Sequence, residues 1–258
     1  MKISAVVITL NEEKKITACL SSLSFVDEII VVDSGSTDKT EEICRSYPRV
    51  KFFSQPWLGF GPQKNYAVSL ATHEWIFSID ADEVVTPDLA DEISTMMSSY
   101  VECDAFAINR RNVYRNQWIQ HGGWWPDQVL RLFRKTAGAF STRMVHESVQ
   151  VSGPVLRLRY PLEHRPYNGP EDFILKMHSY SMAGARQLLE EGKRGSTTHA
   201  FLRGCAAFVK GYILKRGFMD GHAGLLIAVS GAVGVFYKWM KLTELCAKSE
   251  NGSQAGIF

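Results

Sequence analysis

Three carboxylates within four positions, Asp80, Asp82 and Glu83, follow directly on the run Trp75-Ile76-Phe77-Ser78-Ile79. That run reads as a buried strand. Side chains alternate between faces along a strand, so Asp80 and Asp82 can project together only where the strand ends. Clustered carboxylates repel one another, and burying them unpaired is strongly unfavourable. A divalent cation removes the conflict, and oxygen-only ligands suit Mg2+ or Mn2+. The competing reading is a solvated acidic turn; the preceding strand and the neighbouring loops favour a metal-linked site.

The elements that must position these carboxylates are legible upstream. Residues 3–10, 28–32, 50–53 and 75–79 are predicted strands. Helices are predicted between them, from Asn11-Glu12-Glu13 to Leu23, over residues 39–47 and over residues 63–72. Gly59-Phe60-Gly61-Pro62 reads as a flexible turn ahead of the last helix. Strands alternating with helices predict a doubly wound, mostly parallel α/β sheet. Ligands of such sheets bind at the carboxyl ends of the strands, and Asn11, Asp33 and Asp80/Asp82 all fall there. The first strand leads into Thr9-Leu10-Asn11-Glu12, which contains no glycine, so a dinucleotide fingerprint, a Walker loop and a nucleotidyltransferase loop are disfavoured. Asp33 can accept a hydrogen bond from a base N–H or a ribose hydroxyl, leaving phosphates to the metal. Two readings suit Asp38 in Asp33-Ser34-Gly35-Ser36-Thr37-Asp38: helix capping and ligand contact.

With 258 residues, 45% hydrophobic and 22% charged, the chain can bury a full core and is not of disordered composition. A net charge of +2 conceals an asymmetry. Residues 1–100 hold 8 Lys/Arg against 15 Asp/Glu, or −7, and residues 101–258 hold 21 against 12, or +9. The basic second half points to a phosphorylated substrate or an anionic lipid surface rather than to nucleic acid. Cys19, Cys44, Cys103, Cys205 and Cys246 are scattered without a Cys-x-x-Cys, so neither a zinc site nor a disulfide framework is predicted and a reducing cytosol is expected. The N-terminal apolar run is too short for a signal-peptide core.

Farther along, a helix is predicted over residues 88–99 and strands over residues 104–109 and 129–134. Between the strands lie a basic and aromatic stretch, residues 110–118, and His121-Gly122-Gly123-Trp124-Trp125-Pro126-Asp127. Two tryptophans beside two glycines suit stacking against a sugar ring; a small aromatic satellite core is the alternative. Asp127 is expected as a lone carboxylate near an apolar wall, where its pKa rises toward that of a general base. Residues 140–151 read as a strand or hairpin carrying His146 and Glu147, with a structural and a functional role equally compatible for His146.

A long helix is predicted over residues 172–191, then a basic, apolar segment over residues 200–216. Residues 223–237 carry no charge, but fifteen residues fall short of the roughly 20 that span a bilayer, and glycines interrupt them. These helices are expected to lie on an anionic membrane face, with core packing or an oligomer interface as the alternatives. Residues 248–258 read as a disordered tail.

Val7-Ile8-Thr9-Leu10-Asn11-Glu12, Val31-Val32-Asp33-Ser34-Gly35-Ser36-Thr37-Asp38 and Ile79-Asp80-Ala81-Asp82-Glu83 resemble, in order and spacing, the signature of family 2 glycosyltransferases with the GT-A fold. Trp124-Trp125-Pro126-Asp127, Arg131-Leu132-Phe133-Arg134, Val145-His146-Glu147 and Tyr212-Ile213-Leu214-Lys215-Arg216-Gly217-Phe218 narrow the likeness to the bacterial β-1,4-glucosyltransferases of the lipopolysaccharide inner core. The resemblance implies that Thr9, Leu10, Asn11, Glu12, Asp33, Lys64, Asp80, Ala81 and Asp82 surround a UDP-sugar. It implies Mg2+ or Mn2+ on Asp82 and Asp80 with His146, and an inverting transfer with Asp127 as the base. The family's Glu-Asp pair is here Pro126-Asp127, which keeps Glu147 as the alternative base. Trp124, Trp125, Arg131 and Glu147 would meet a lipopolysaccharide-core glycolipid on the cytoplasmic face of the bacterial inner membrane. The implied layout is a donor half (residues 1–110), an acceptor and catalytic half (111–170) and a helical, membrane-associating region (171–247). A polyprenyl-phosphate glycosyltransferase and a non-catalytic nucleotide-sugar-binding scaffold are the rival readings.

Overall fold

A computed structural model describes residues 1–99, 102–141 and 148–254. These described residues form two compact units, one within residues 1–111 and 126–165, the other within residues 112–125 and 166–254.

The first unit is built on a mixed sheet. Strands β1 (Ile3–Thr9), β2 (Glu28–Asp33), β3 (Val50–Ser54) and β4 (Trp75–Asp80) pair in parallel in the order β3-β2-β1-β4. Helices α1 (Ile16–Ser21), α2 (Thr40–Arg45) and α3 (Phe60–Leu70) connect them. This is the α/β arrangement the alternating pattern predicts. All of β2, and β4 as far as Ile79, are buried because both faces of the sheet are covered. Alternate residues serve opposite cores: Ala5, Val7, Val31, Phe77 and Ile79 pack on one side, Val6, Ile30, Val32 and Ile76 on the other. Beyond β4 the sheet turns antiparallel. After β5 (Glu83–Val85) and α4 (Pro87–Ser98), strand β6 (Ala105–Tyr114) runs out and β8 (Asp127–Arg134) returns against both it and β4. A short β7 (Gln117–Trp118) lies between them in sequence. Strands β9 (Gly138–Phe140) and β10 (Val149–Val151) pair antiparallel. Strand β11 (Val155–Arg157) pairs with β6, and β12 (Leu162–Tyr167) runs antiparallel to β5.

Two boundaries differ from expectation. The stretch Gly59-Phe60-Gly61-Pro62 is no free turn, since Phe60, Gly61 and Pro62 make the first turn of α3. Proline is tolerated where the helix has no backbone acceptor for its N–H, and Gly59, at φ +99°, takes the left-handed entry that other residues resist. Helix α1 is also shorter than predicted and begins at Ile16, because Asn11 adopts φ +54° and residues 12–15 form a turn closed on the Glu12 carbonyl.

In the second unit, α5 (Pro170–Glu190), α6 (Thr197–Phe208) and α7 (Gly221–Gln254) pack together. Gly204 lets α6 approach α7 closely, since a Cβ there would stand 3.2 Å from the Ala232 carbonyl. The glycines of residues 223–237 do not interrupt α7, which passes uninterrupted through Gly224, Gly231 and Gly234 and on past Lys248. Packing supplies what intrinsic propensity lacks.

Candidate active site

The carboxyl ends of β1, β2 and β4 carry the three signature loops. Asn11 and the loop after β2 are stitched together: the Asn11 N–H donates to Ser36 Oγ (2.8 Å) and the Thr37 N–H donates to Asn11 Oδ1 (2.8 Å). Asp33 is buried and accepts the Gly35 and Ser36 N–H groups at 2.9 and 2.7 Å, so its carboxylate shapes the loop. Asp38 accepts from the Thr40 hydroxyl and N–H and from the Glu13 N–H, so it ties the two loops together ahead of α2. The Glu12 N–H donates to Thr40 Oγ1 at 2.9 Å, and Leu10 is half exposed. Thr9 Oγ1 is buried without a hydrogen-bond partner among the described residues.

At the end of β4 the acidic cluster is organised by cations of the chain itself. Asp80 Oδ1 lies 2.9 Å from Lys64 Nζ, on α3, and Asp80 Oδ2 lies 2.5 Å from Arg131 Nη2, on β8. The same Arg131 guanidinium bonds Glu83, which is fully buried and accepts the Asp80 N–H at 2.9 Å. Arg110 Nη1, on β6, reaches Glu83 at 3.4 Å, and Arg110 Nε and Nη2 hold Asp127 Oδ2 at 2.9 Å. The result is a ladder of alternating charge, Lys64–Asp80–Arg131–Glu83–Arg110–Asp127, running across α3, β4, β5, β6 and β8. Burial alone would push the Asp80 carboxyl up, but Arg131 and Lys64 outweigh it and hold it well below the usual carboxylate range. Arg131 is raised in turn: burial opposes its charge, and Asp80 and Glu83 more than compensate.

This geometry corrects the expectation for Asp127. It is not a lone carboxylate on an apolar wall, because the β6–β8 register sets Arg110 directly opposite it. Arg131, expected among acceptor contacts, is buried within the ladder. Ala81 is packed in the core. Asp82 departs from the ladder: its Oδ1 lies 3.6 Å from His164 Nε2, and its carbonyl accepts the Arg165 N–H at 2.9 Å. The β12–β5 register, with His164 opposite Glu83, sets that pairing. His146 and Glu147 lie outside the described residues. Trp124 and Trp125 belong to the second unit, where Trp124 joins Tyr114, Ile119 and Phe173, and Trp125 stands edge-on to Trp118 at 5.1 Å. Among the described residues no three His, Cys, Asp or Glu side chains gather to hold a metal.

Sequence reasoning missed Arg110 and His164 and undervalued Glu83. The signal for Glu83 was a carboxylate leading the apolar pair Val84-Val85. For His164 it was an imidazole inside the strand pattern Leu162-Glu163-His164-Arg165.

A family model described as Glycosyl transferase family 2 matches residues 4–164. LpsC of Rhizobium meliloti, a lipopolysaccharide core biosynthesis glycosyltransferase, is 31% identical over 95% of this chain and 93% of its own length. An uncharacterised glycosyltransferase of Rickettsia typhi is 30% identical over 97% of this chain and 89% of its own. The crystal structure of S. aureus TarS 1–349 in complex with UDP-GlcNAc aligns at 17% identity with a TM-score of 0.49, covering 99% of this chain and 92% of that one. The matched residues begin in β1 and end at His164, taking in the whole ladder, and the chain belongs to glycosyl transferase family 2.

Proposed function

We propose that the protein transfers a hexose, with inversion, from a UDP-sugar (UDP-glucose by resemblance) to the heptose region of the lipopolysaccharide inner core, at the cytoplasmic face of the bacterial inner membrane. The observation that carries this reading is the charge ladder at the carboxyl ends of the strands, where a doubly wound sheet binds its ligand. The acceptor class is supported by the likeness to LpsC along nearly the whole chain, and by the basic second half.

Thr9, Leu10, Asn11, Glu12 and Asp33 would border the nucleotide, and the orphaned Thr9 hydroxyl is a group that a ligand or water would satisfy. Lys64 and Arg131 fix Asp80 toward the ribose or donor sugar. Asp82 and His164 fit a divalent ion. An oxygen and an imidazole nitrogen 3.6 Å apart can share one cation, and Mg2+ sites commonly take one or two protein ligands with substrate phosphates. Held there, such an ion would supply positive charge to a departing diphosphate. Asp127 accepts the proton of the attacking acceptor hydroxyl while Arg110 fixes the orientation of its carboxylate. A base of this kind contributes about 10^2 to 10^4 in rate.

The rival polyprenyl-phosphate acceptor has one observation in its favour. Residues 217–248 are helical and, by length and composition alone, apolar enough to cross a membrane. Assay of the purified chain with UDP-glucose, against heptosylated core and against polyprenyl phosphate, separates the two. Transfer to core is expected, and Asp127→Asn should lower it at least about 100-fold while leaving UDP-glucose affinity within about twofold. Full turnover in that variant would remove Asp127 as the base.

A further inference from the structure

The segment joining α6 to α7 has an exposure pattern that a water-facing turn does not need. Val209–Leu214 is a π-helical turn, Arg216 takes the left-handed conformation at φ +56°, and Gly217–Asp220 is a 3-10 turn. Within it Ile213, Leu214, Phe218 and Met219 are 53%, 72%, 51% and 56% exposed, and Lys210, Lys215 and Arg216 are exposed beside them. Phe201 and Leu202 on α6, and Leu225 and Val229 on α7, are exposed as well. The acidic side chain of the turn is withdrawn. Asp220 is buried, accepting the His121 and Gln120 N–H groups at 2.8 and 3.3 Å and lying 2.9 Å from His121 Nδ1. What remains on the surface is large apolar side chains ringed by positive charge.

We propose that residues 209–219 form a preformed wedge that inserts into an anionic bilayer surface, with Ile213, Leu214, Phe218 and Met219 entering the acyl boundary and Lys210, Lys215 and Arg216 meeting lipid phosphates. Burial of apolar side chains plus attraction to anionic headgroups is the physics of interfacial anchoring. A second copy of the chain would instead set like charges against each other. The wedge is rigid: the Gly122 N–H donates to the Lys215 carbonyl at 2.9 Å, and the first turn of α7 packs so closely that a Cβ on Gly224 would stand 1.8 Å from the Gly217 carbonyl. Little ordering is therefore needed on docking. Helix α7 is not a spanning helix on this view. It buries Ala223, Ile227, Ala228, Trp239 and Leu242 within its own unit, and a bilayer crossing would strip those contacts. The bonds from residues 120–122 to Asp220 and Lys215 also tie the loop bearing Trp124 and Trp125 to this turn.

The inference deepens the membrane part of the proposed function and does not depend on the acceptor, because the test uses vesicles without one. The full chain is mixed with vesicles of phosphatidylcholine alone, or of phosphatidylcholine with about one-third phosphatidylglycerol, and sedimented; UDP-sugar affinity and thermal midpoint are measured in parallel. Wild type should bind the anionic vesicles at least about tenfold more tightly, in a salt-sensitive manner. Leu214→Ser with Phe218→Ser should weaken binding about 100-fold, a factor of roughly ten for each large apolar side chain. Lys210→Ser with Lys215→Ser should weaken it at least about tenfold and flatten the salt dependence. Both pairs should keep the wild-type thermal midpoint and donor affinity. Equal binding by the Leu214/Phe218 variant, equal binding to neutral vesicles, or wild type retained in native membranes through alkaline carbonate extraction would each overturn the wedge.

Discussion

Replacing Arg131 by Met tests whether the ladder is an interdependent unit. Arg131 is 5% exposed and stands between Asp80 and a Glu83 that is 0% exposed. Without it Glu83 keeps Arg110 at 3.4 Å and Asp80 keeps Lys64 at 2.9 Å. Removing one partner of a buried pair costs about 3–5 kcal/mol, since the remaining charge stays desolvated. Arg131→Met should therefore cost about that much at neutral pH, read from urea unfolding followed by tryptophan fluorescence. Adding Glu83→Gln to it should restore at least about 1 kcal/mol relative to the sum of the single variants, because residues of one network couple. The pH dependence has a definite sign. The folded-state pKa of Asp80 is depressed, so its contribution is present above the unfolded value and is lost as pH falls through the folded value. Loss of Arg131 removes part of that depression, so the gap between variant and wild type should be widest near pH 7 and should narrow below about pH 4. A cost below about 1 kcal/mol, or strictly additive single variants, would show that the ladder is only a set of independent surface-like pairs.

His164→Ala should weaken UDP binding about tenfold or more in the presence of Mn2+ and leave metal-free UDP binding unchanged; calorimetry under both conditions decides, and equal Mn2+-dependent affinities would remove His164 from the metal site. Glu28 lies at the opposite end of the sheet, 2.6 Å from Lys51 Nζ and hydrogen-bonded by Ser4 and Thr72. Burial alone would raise its carboxyl, but those partners hold it at about 2, against an ordinary 4.5. The resulting stabilisation, about 3 kcal/mol, is complete above pH 4.5 and lost as pH falls to 2. Glu28→Gln should show that deficit near neutrality and converge with wild type near pH 2; a deficit that stays constant with pH would contradict the linkage.

The parallel half of the sheet was readable because each of its strands is a short apolar run punctuated by polar loops, and local pattern suffices there. The antiparallel half was less so. Residues 110–114 carry Arg110, Arg111 and Asn112, and read as a basic stretch rather than as the continuation of β6. Those arginines are in a strand because carboxylates face them, Asp127 and Glu83 before Arg110 and Glu163 before Arg111. No local rule sees a partner some 17 to 52 positions away. The partner of His164 is out of reach of the sequence for the same reason, even though the imidazole stands out within its strand. Its meaning comes from lying across the β12–β5 ladder from Glu83 and beside Asp82, a relation set by pairing register rather than by spacing.

The clustered carboxylates are expected to meet a divalent cation; in the structure Asp80 and Glu83 instead meet the side chains of Lys64, Arg131 and Arg110. Three cations, Lys64, Arg131 and Arg110, alternate with Asp80, Glu83 and Asp127, so the ladder is neutral before any ligand arrives. That neutrality has a mechanical consequence. Each carboxylate is oriented by a cation on a different strand or helix, so the positions of Asp80 and Asp127 are fixed by the sheet itself and need not be set by the substrate. Asp82 lies against the His164 imidazole, 3.6 Å away. A divalent ion would have its place at Asp82 and His164. Donor binding should accordingly strengthen when metal is added, a dependence that the preformed ladder by itself would not impose.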